Sequence, residues 1–364
     1  MTSARFSVIA PAHWLLLGAA GAVALATAGA AQNGTAIYEL RFDTTWSAVT
    51  HPVEFPPNPH FSPPVGGTHD GATSFWQPGG LATPGIQAMA EGGATSPLSV
   101  EISAAVTAGG ADQILRFSGL GSSPASRTVT FNVQADFPYV TLVSMLAPSP
   151  DWFVGVSGLH LRPNDVWIDD LVVPLTVWDA GTDSGTTYLS PNLPTVPAAP
   201  IDPVTTGAGP FQGLPGPVGT FTLRRRASSL VYGCGVNPSG SLRDISGAAI
   251  LGRTTTIALH DPTGALAAPA TSVVAISAAP LPTFPCGVAI GGLGLGPPGA
   301  PGELLVAPPF PVTPGPAWNG TPALYRLPIP FILSLLRTRI YVQGVLVDAT
   351  RVGLTDAIVL GIGS

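Results

Sequence analysis

Short segments in which apolar and polar residues alternate recur along the chain. In Ile37–Asp43, Tyr38, Leu40 and Phe42 fall on one side and Glu39, Arg41 and Asp43 on the other. That is the period of two expected of a strand with one buried face. Arg127–Gln134 repeats the pattern with Val129, Phe131 and Val133 inward. Tyr139–Leu146, Trp152–Val156 and Leu171–Trp178 are short, nearly continuous apolar runs, and each reads as a strand. The second half has the same texture in Thr220–Arg224, Thr254–Leu259, Ser272–Ser277, Glu303–Val306, Ile340–Asp348 and Ala357–Gly361. Only Gly85–Glu91 and Pro97–Ala108 predict helical turns. The expected fold class is all-β, built as two antiparallel β-sandwich domains. From Leu193 to Gly219 the chain turns to Pro, Gly and Thr without periodicity, which places a boundary near Gly213. The expected domains are residues 35–213 and residues 214–364.

Composition supports this reading and adds a destination. The 44 Gly and 41 Pro disfavour long helices and favour short strands joined by tight turns. An apolar stretch from Leu15 to Leu25 follows a lone Arg5 and runs into Ala28-Gly29-Ala30. That is the layout of a signal peptide over residues 1–30, cleaved after Ala30. A secreted or cell-surface protein is expected. The longest later apolar run, Ile329–Leu336, is too short to cross a bilayer as a helix.

All 14 basic residues are Arg, and the net charge is −6. The one basic cluster, Arg224–Arg226, reads as a solvated strand end. Nucleic-acid binding, which needs an extended basic face, is not expected. Cys234 and Cys286 are the only cysteines, and in an exported chain such a pair forms one disulfide. Closing that loop contributes about 3–4 kcal/mol by the chain-entropy argument.

Three ordered stretches carry a family resemblance. The first is Tyr38-Glu-Leu-Arg-Phe-Asp-Thr-Thr-Trp46 leading into Thr50-His-Pro-Val-Glu-Phe-Pro-Pro-Asn-Pro-His-Phe-Ser-Pro63. The second is Gly67-Thr-His-Asp70 with Ser74-Phe-Trp-Gln-Pro-Gly-Gly-Leu-Ala82. The third is Ser149-Pro-Asp-Trp152 with Trp178-Asp-Ala-Gly-Thr-Asp-Ser-Gly185 and Ser190-Pro-Asn192. Over residues 35–213 the chain resembles the spondin domain, the N-terminal module of F-spondin and mindin. The resemblance implies an eight-stranded antiparallel sandwich with calcium at one loop end, and puts Asp151, Asp179 and Asp183 at the ligand positions. Calcium is a hard cation that takes six to eight oxygens, mostly from carboxylates and carbonyls. Unaided, the spacing of these aspartates also fits turn residues capping their own backbone. The cysteine-free Gly158–Asp165 departs from the animal members, which have cysteines in that insert, and their thrombospondin-type repeats are missing. The C-terminal half looks like a recurring module of exported planctomycete and myxobacterial proteins.

Other chemistry finds less support. His51, His60 and His69 lie in Pro- and Gly-rich loops without a His-x-x-x-His pair, so loop-bracing roles are expected of them. No Gly-x-Ser-x-Gly elbow, phosphate loop or His-Glu-x-x-His occurs, and Ser184 has no matching catalytic His context. The chain reads as a calcium-binding module without enzymatic activity whose partner is an extracellular protein or glycan. Calcium-dependent lipid binding through Trp152, Phe153 and Trp178 is the alternative. A metal-dependent hydrolase is a third reading.

Overall fold

The computed structural model describes residues 34–204, 209–211, 216–247 and 249–364. The expected signal peptide and the boundary near Gly213 lie outside the described residues.

The first half is organised by strands β1 (Gly34–Thr44), β2 (Val65–His69), β3 (Ala111–Arg116), β4 (Ala125–Gln134), β5 (Tyr139–Ala147), β6 (Trp152–His160), β7 (Asp170–Pro174), β8 (Val177–Asp179) and β9 (Gly219–Tyr232). One antiparallel sheet runs β3-β2-β5-β6-β8, and Asp202–Pro203 lies at the β8 edge. The facing sheet holds β4, β1, β9 and β7. Between them lies a core of Tyr38, Leu40, Phe42, Phe131, Val133, Leu142, Trp152, Val154, Phe221 and Leu223. The inward residues expected of β1 and β4 are therefore the ones that pack.

Helices α1 (Pro84–Gly92) and α2 (Leu98–Thr107) form where turns were expected and cover the outer face of the first sheet. Ile86, Met89, Leu98 and Ile102 meet Val65, Val143, Met145 and Phe153 there. This second layer explains why β5 is a continuous apolar run: all but its first residue are buried, because both faces are covered. Thr83 caps α1 through its hydroxyl to Ile86 N, and its own O–H donates to the Glu101 carboxylate of α2.

Two local expectations change. Leu171–Trp178 is not one strand. It divides at Leu175, with β7 pairing β9 in one sheet and β8 pairing β6 in the other, so the segment crosses the sandwich edge. Nor is Arg224–Arg226 a solvated strand end, because β9 continues to Tyr232. Register slips between Ile37 and Tyr38, leaving Arg226 as the extra residue of a bulge. Arg224, Arg225 and Arg226 pair with Asp170, Asp169 and Glu39 respectively.

The second half adds β10 (Thr254–Leu259), β11 (Thr271–Ser277), β12 (Ala323–Pro328), β13 (Arg339–Val347) and β14 (Val352–Gly363). Residues Ser228–Tyr232 of β9 pair with β14, so the β4-β1-β9 sheet runs on through β14, β13 and β11. A three-stranded sheet of Leu242–Asp244, β10 and β12 packs over that extension around Leu259, Val274, Tyr325, Val342 and Ile358. Cys234 and Cys286 form the disulfide. Among the described residues, no helix is long and apolar enough to cross a membrane.

Candidate metal centre

Antiparallel pairing of β6 with β8 sets Trp152 opposite Asp179. The turn Ser149-Pro150-Asp151 enters β6 beside the loop that leaves β8, so one sheet end gathers the aspartates. Asp151 is fully buried and organises that loop. Its Oδ2 accepts from the Thr182 amide (2.7 Å), the Asp183 amide (3.0 Å) and the Thr182 hydroxyl (3.3 Å). Asp179 Oδ1 accepts from Gly181 N at 2.7 Å, and its Oδ2 from Trp152 Nε1 at 3.3 Å. Gly181 stands at φ +71°, and a Cβ there would meet the Ala199 carbonyl oxygen at 2.2 Å. Only glycine supplies this turn without strain. Asp183 is buried and accepts from Gly185 N (2.8 Å) and Leu193 N (3.1 Å).

These are turn-capping contacts, as the spacing allowed, yet they leave charge unanswered. None of the three aspartates joins an ion pair among the described residues. Burial raises the Asp151 carboxyl to about 6, against the Asp183 and Thr182 donors that lower it, and the charge of Asp179 adds to the rise. Asp179 is raised too, by burial first and then by the charges of Asp183 and Asp202. Asp151 Oδ1 is buried and accepts no hydrogen bond. A buried carboxylate oxygen without a partner is costly unless a cation meets it, so Asp151 Oδ1 is a candidate ligand for a hard divalent ion.

The three carboxylates are not drawn fully together. Among the described residues, the trio whose ligating atoms all lie within 4.8 Å is Cys234, Cys286 and Glu303, and its two sulfurs are spent in the disulfide. Further oxygens for an ion at Asp151 must come from the surrounding loops. Asp202, whose charge reaches Asp179, escaped the sequence reading because it sits in a Pro-rich stretch without a pattern. Beside Asp183 opens a cleft of about 450 Å³ whose polar lining includes Glu91, Ser149, Ser190 and Asn192. Glu91 comes from α1, far from the aspartates in sequence, and no spacing rule links them.

Other candidates resolve into packing. Trp152 and Phe153 are 3% and 0% exposed, so neither offers an apolar tip to a lipid. His69 is buried, bonded at Nδ1 to the Asp70 carbonyl (2.7 Å) and at Nε2 to the Thr141 hydroxyl (2.9 Å). His60 meets the Asn58 carbonyl, and His51 meets the Thr50 hydroxyl. The Ser184 hydroxyl donates to the Leu193 carbonyl.

A family model described as Spondin_N matches residues 36–211. Spondin-1 of Gallus gallus is 37% identical over 183 residues, which are 47% of this chain and 22% of that protein. Spondin-1 of Homo sapiens is 36% identical over the same length. Spondin-2 of Homo sapiens is 31% identical over 196 residues, 53% of this chain and 59% of that protein. The chain therefore spans about a fifth of the spondin-1 proteins it matches, and the family model ends at residue 211. With the paired sheets and the loop-end aspartates, residues 36–211 are a spondin domain.

Proposed function

We propose that the protein is exported and acts outside the cell as a calcium-binding adhesion module, not as an enzyme. The observation that carries the calcium reading is the buried, unpartnered Oδ1 of Asp151 among carboxylates that have no cationic partner. Asp151, Asp179 and Asp183 would hold the ion, with loop oxygens completing its shell. The ion supplies positive charge that stabilises the loop end in its ionised form. A partner, an extracellular protein or a glycan, would meet the polar cleft beside Asp183.

The test is thermal unfolding in chelator, magnesium and rising calcium. An ion bound only by the native state stabilises it by RT ln(1 + [L]/Kd), about 2.7 kcal/mol at a hundredfold excess over Kd. A calcium-specific rise in midpoint is expected, and it should vanish in Asp151→Asn. Identical midpoints in calcium and chelator would remove the metal from the proposal. Hydrolysis of an ester, glycoside or peptide that disappeared in Asp183→Ala would remove the non-catalytic reading.

A further inference from the structure

The apolar run Ile329–Leu336, too short to span a bilayer, is put on display by the fold. Ile329 is buried and Leu335 packs against the second core, which anchors the segment at two points. Phe331, Ile332, Leu333 and Leu336 are turned outward, with Phe331 and Leu333 exposed by 75% and 71%. The display is held by backbone bonds. Gly252 N donates to the Ile329 carbonyl and Ile329 N to the Arg253 carbonyl, both at 2.8 Å. Leu335 N and Leu336 N close the turn onto Ile332 and Leu333 (3.0 and 3.1 Å), and Arg337 N is tied to Ile362 at 2.8 Å. The Phe331 ring lies close over Gly252, where a Cβ would approach it to 3.3 Å. A segment so tied cannot fold its apolar side chains back into the core.

The chain on either side of it carries basic residues and no acidic ones. No Asp or Glu occurs from Leu304 to Val347, which contains Arg326, Arg337 and Arg339, in a chain of net charge −6. Arg326, Arg337 and Arg339 are exposed, as is Arg253, whose backbone pairs with Ile329. Arg337 shares Asp170 with Arg224. Among the described residues the side chains of Arg253, Arg326 and Arg339 form no ion pair.

We infer that this loop is a membrane-contact tip: Phe331, Ile332, Leu333 and Leu336 enter the headgroup region of an anionic lipid surface, and the flanking arginines meet its phosphates. The chemistry is that of interfacial anchoring, where apolar burial and attraction of basic residues to anionic lipid act together. A second copy of this chain fits less well. Four apolar side chains fall far short of the roughly 20–30 residues a side of a stable interface, and the like-charged arginines of two copies would face each other. The tip lies in the second half of the sequence, shares no residue with the candidate calcium site, and does not depend on calcium.

Both native cysteines are in the disulfide, so Phe331→Cys in the full chain accepts a single environment-sensitive fluorophore. In chelator, phosphatidylglycerol vesicles should brighten the probe and shift its emission to the blue. Phosphatidylcholine vesicles should need about ten-fold more lipid for the same change. In the unlabelled chain, Phe331→Ser with Leu333→Ser should lower partitioning onto phosphatidylglycerol vesicles about ten-fold or more, with the thermal midpoint unchanged. A probe silent to phosphatidylglycerol, or partitioning unaltered in the double variant, would overturn the inference. So would brightening that follows protein concentration without lipid, which would make the tip a self-association surface.

Discussion

Asp151 holds two states in tension. One oxygen takes three donors and shapes the 182–183 turn, while the other has nothing to bond. Without a cation its charge is a liability, since burial has already raised its carboxyl to about 6. Asp151→Asn removes the charge and keeps an acceptor. In chelator its unfolding midpoint should equal or exceed that of the parent, whereas in saturating calcium it should fall below it. Circular dichroism melts in the two media check this crossing. Asp183→Ala should behave differently, because it frees the Gly185 and Leu193 amides whatever the medium. A loss of about 1–3 kcal/mol in chelator, and a larger one in calcium where the ion's contribution goes too, is expected from denaturant unfolding.

At the level of elements, the site depends on a sheet packed on both sides. Strand β2 lies between β3 and β5, and its residues are all buried. Gly66 is required there by closeness: a Cβ would sit 1.9 Å from the Thr141 carbonyl oxygen. Gly66→Ala should push β2 from β5 and cost about 3 kcal/mol. Guanidinium unfolding measures that loss. An unchanged midpoint would mean that the two strands separate at little cost.

For the whole molecule, β9 is the shared member, paired with β1 and β7 over one stretch and with β14 over the next. The second half has its own buried acid, Asp356. Burial, with the charge of Glu303 adding and the Gly240 amide opposing, raises its carboxyl from the usual 3.8 to about 7. Between those values the native state keeps a proton that the unfolded chain has released, so this contribution to stability falls as pH rises from about 4 to about 7. His69 acts in the opposite sense. Burial lowers its pKa, so below about 6.5 the unfolded chain takes a proton that the native state resists, and stability is lost as pH falls. The comparison of Asp356→Asn with the parent cancels the histidines. In chelator, the midpoint difference in favour of the variant should grow from pH 4 to 7 and then level off. A difference that does not change with pH would mean Asp356 titrates at its ordinary value.

Wherever one face of a strand meets a core, the chain alone determined the outcome. Tyr38, Leu40 and Phe42 alternate because water lies on the other side, and that period of two survives without knowledge of the partners. The two helical segments were legible for a similar reason, since their small and apolar residues sit between Pro and Gly punctuation. The residues of the spondin segments could be read in order because they lie within short motifs; Asp151, Asp179 and Asp183 were singled out by the resemblance, and a shared ion there is a proposal. Tertiary structure decided what local pattern cannot hold. Leu171–Trp178 looks like one apolar run, yet it serves two sheets, and only the closing of the sandwich divides it. Arg224–Arg226 looks like a free strand end, yet a bulge and three acids from distant segments pair it, and Arg225 is buried. Trp152 and Phe153 look like loop tips until the two layers around β6 bury them. Asp202 and Glu91 reach the aspartate end, and Arg253 the Phe331 loop, only through long chain reversals. Periodicity records which side of an element faces water; it carries no record of which charges the fold brings to the same place.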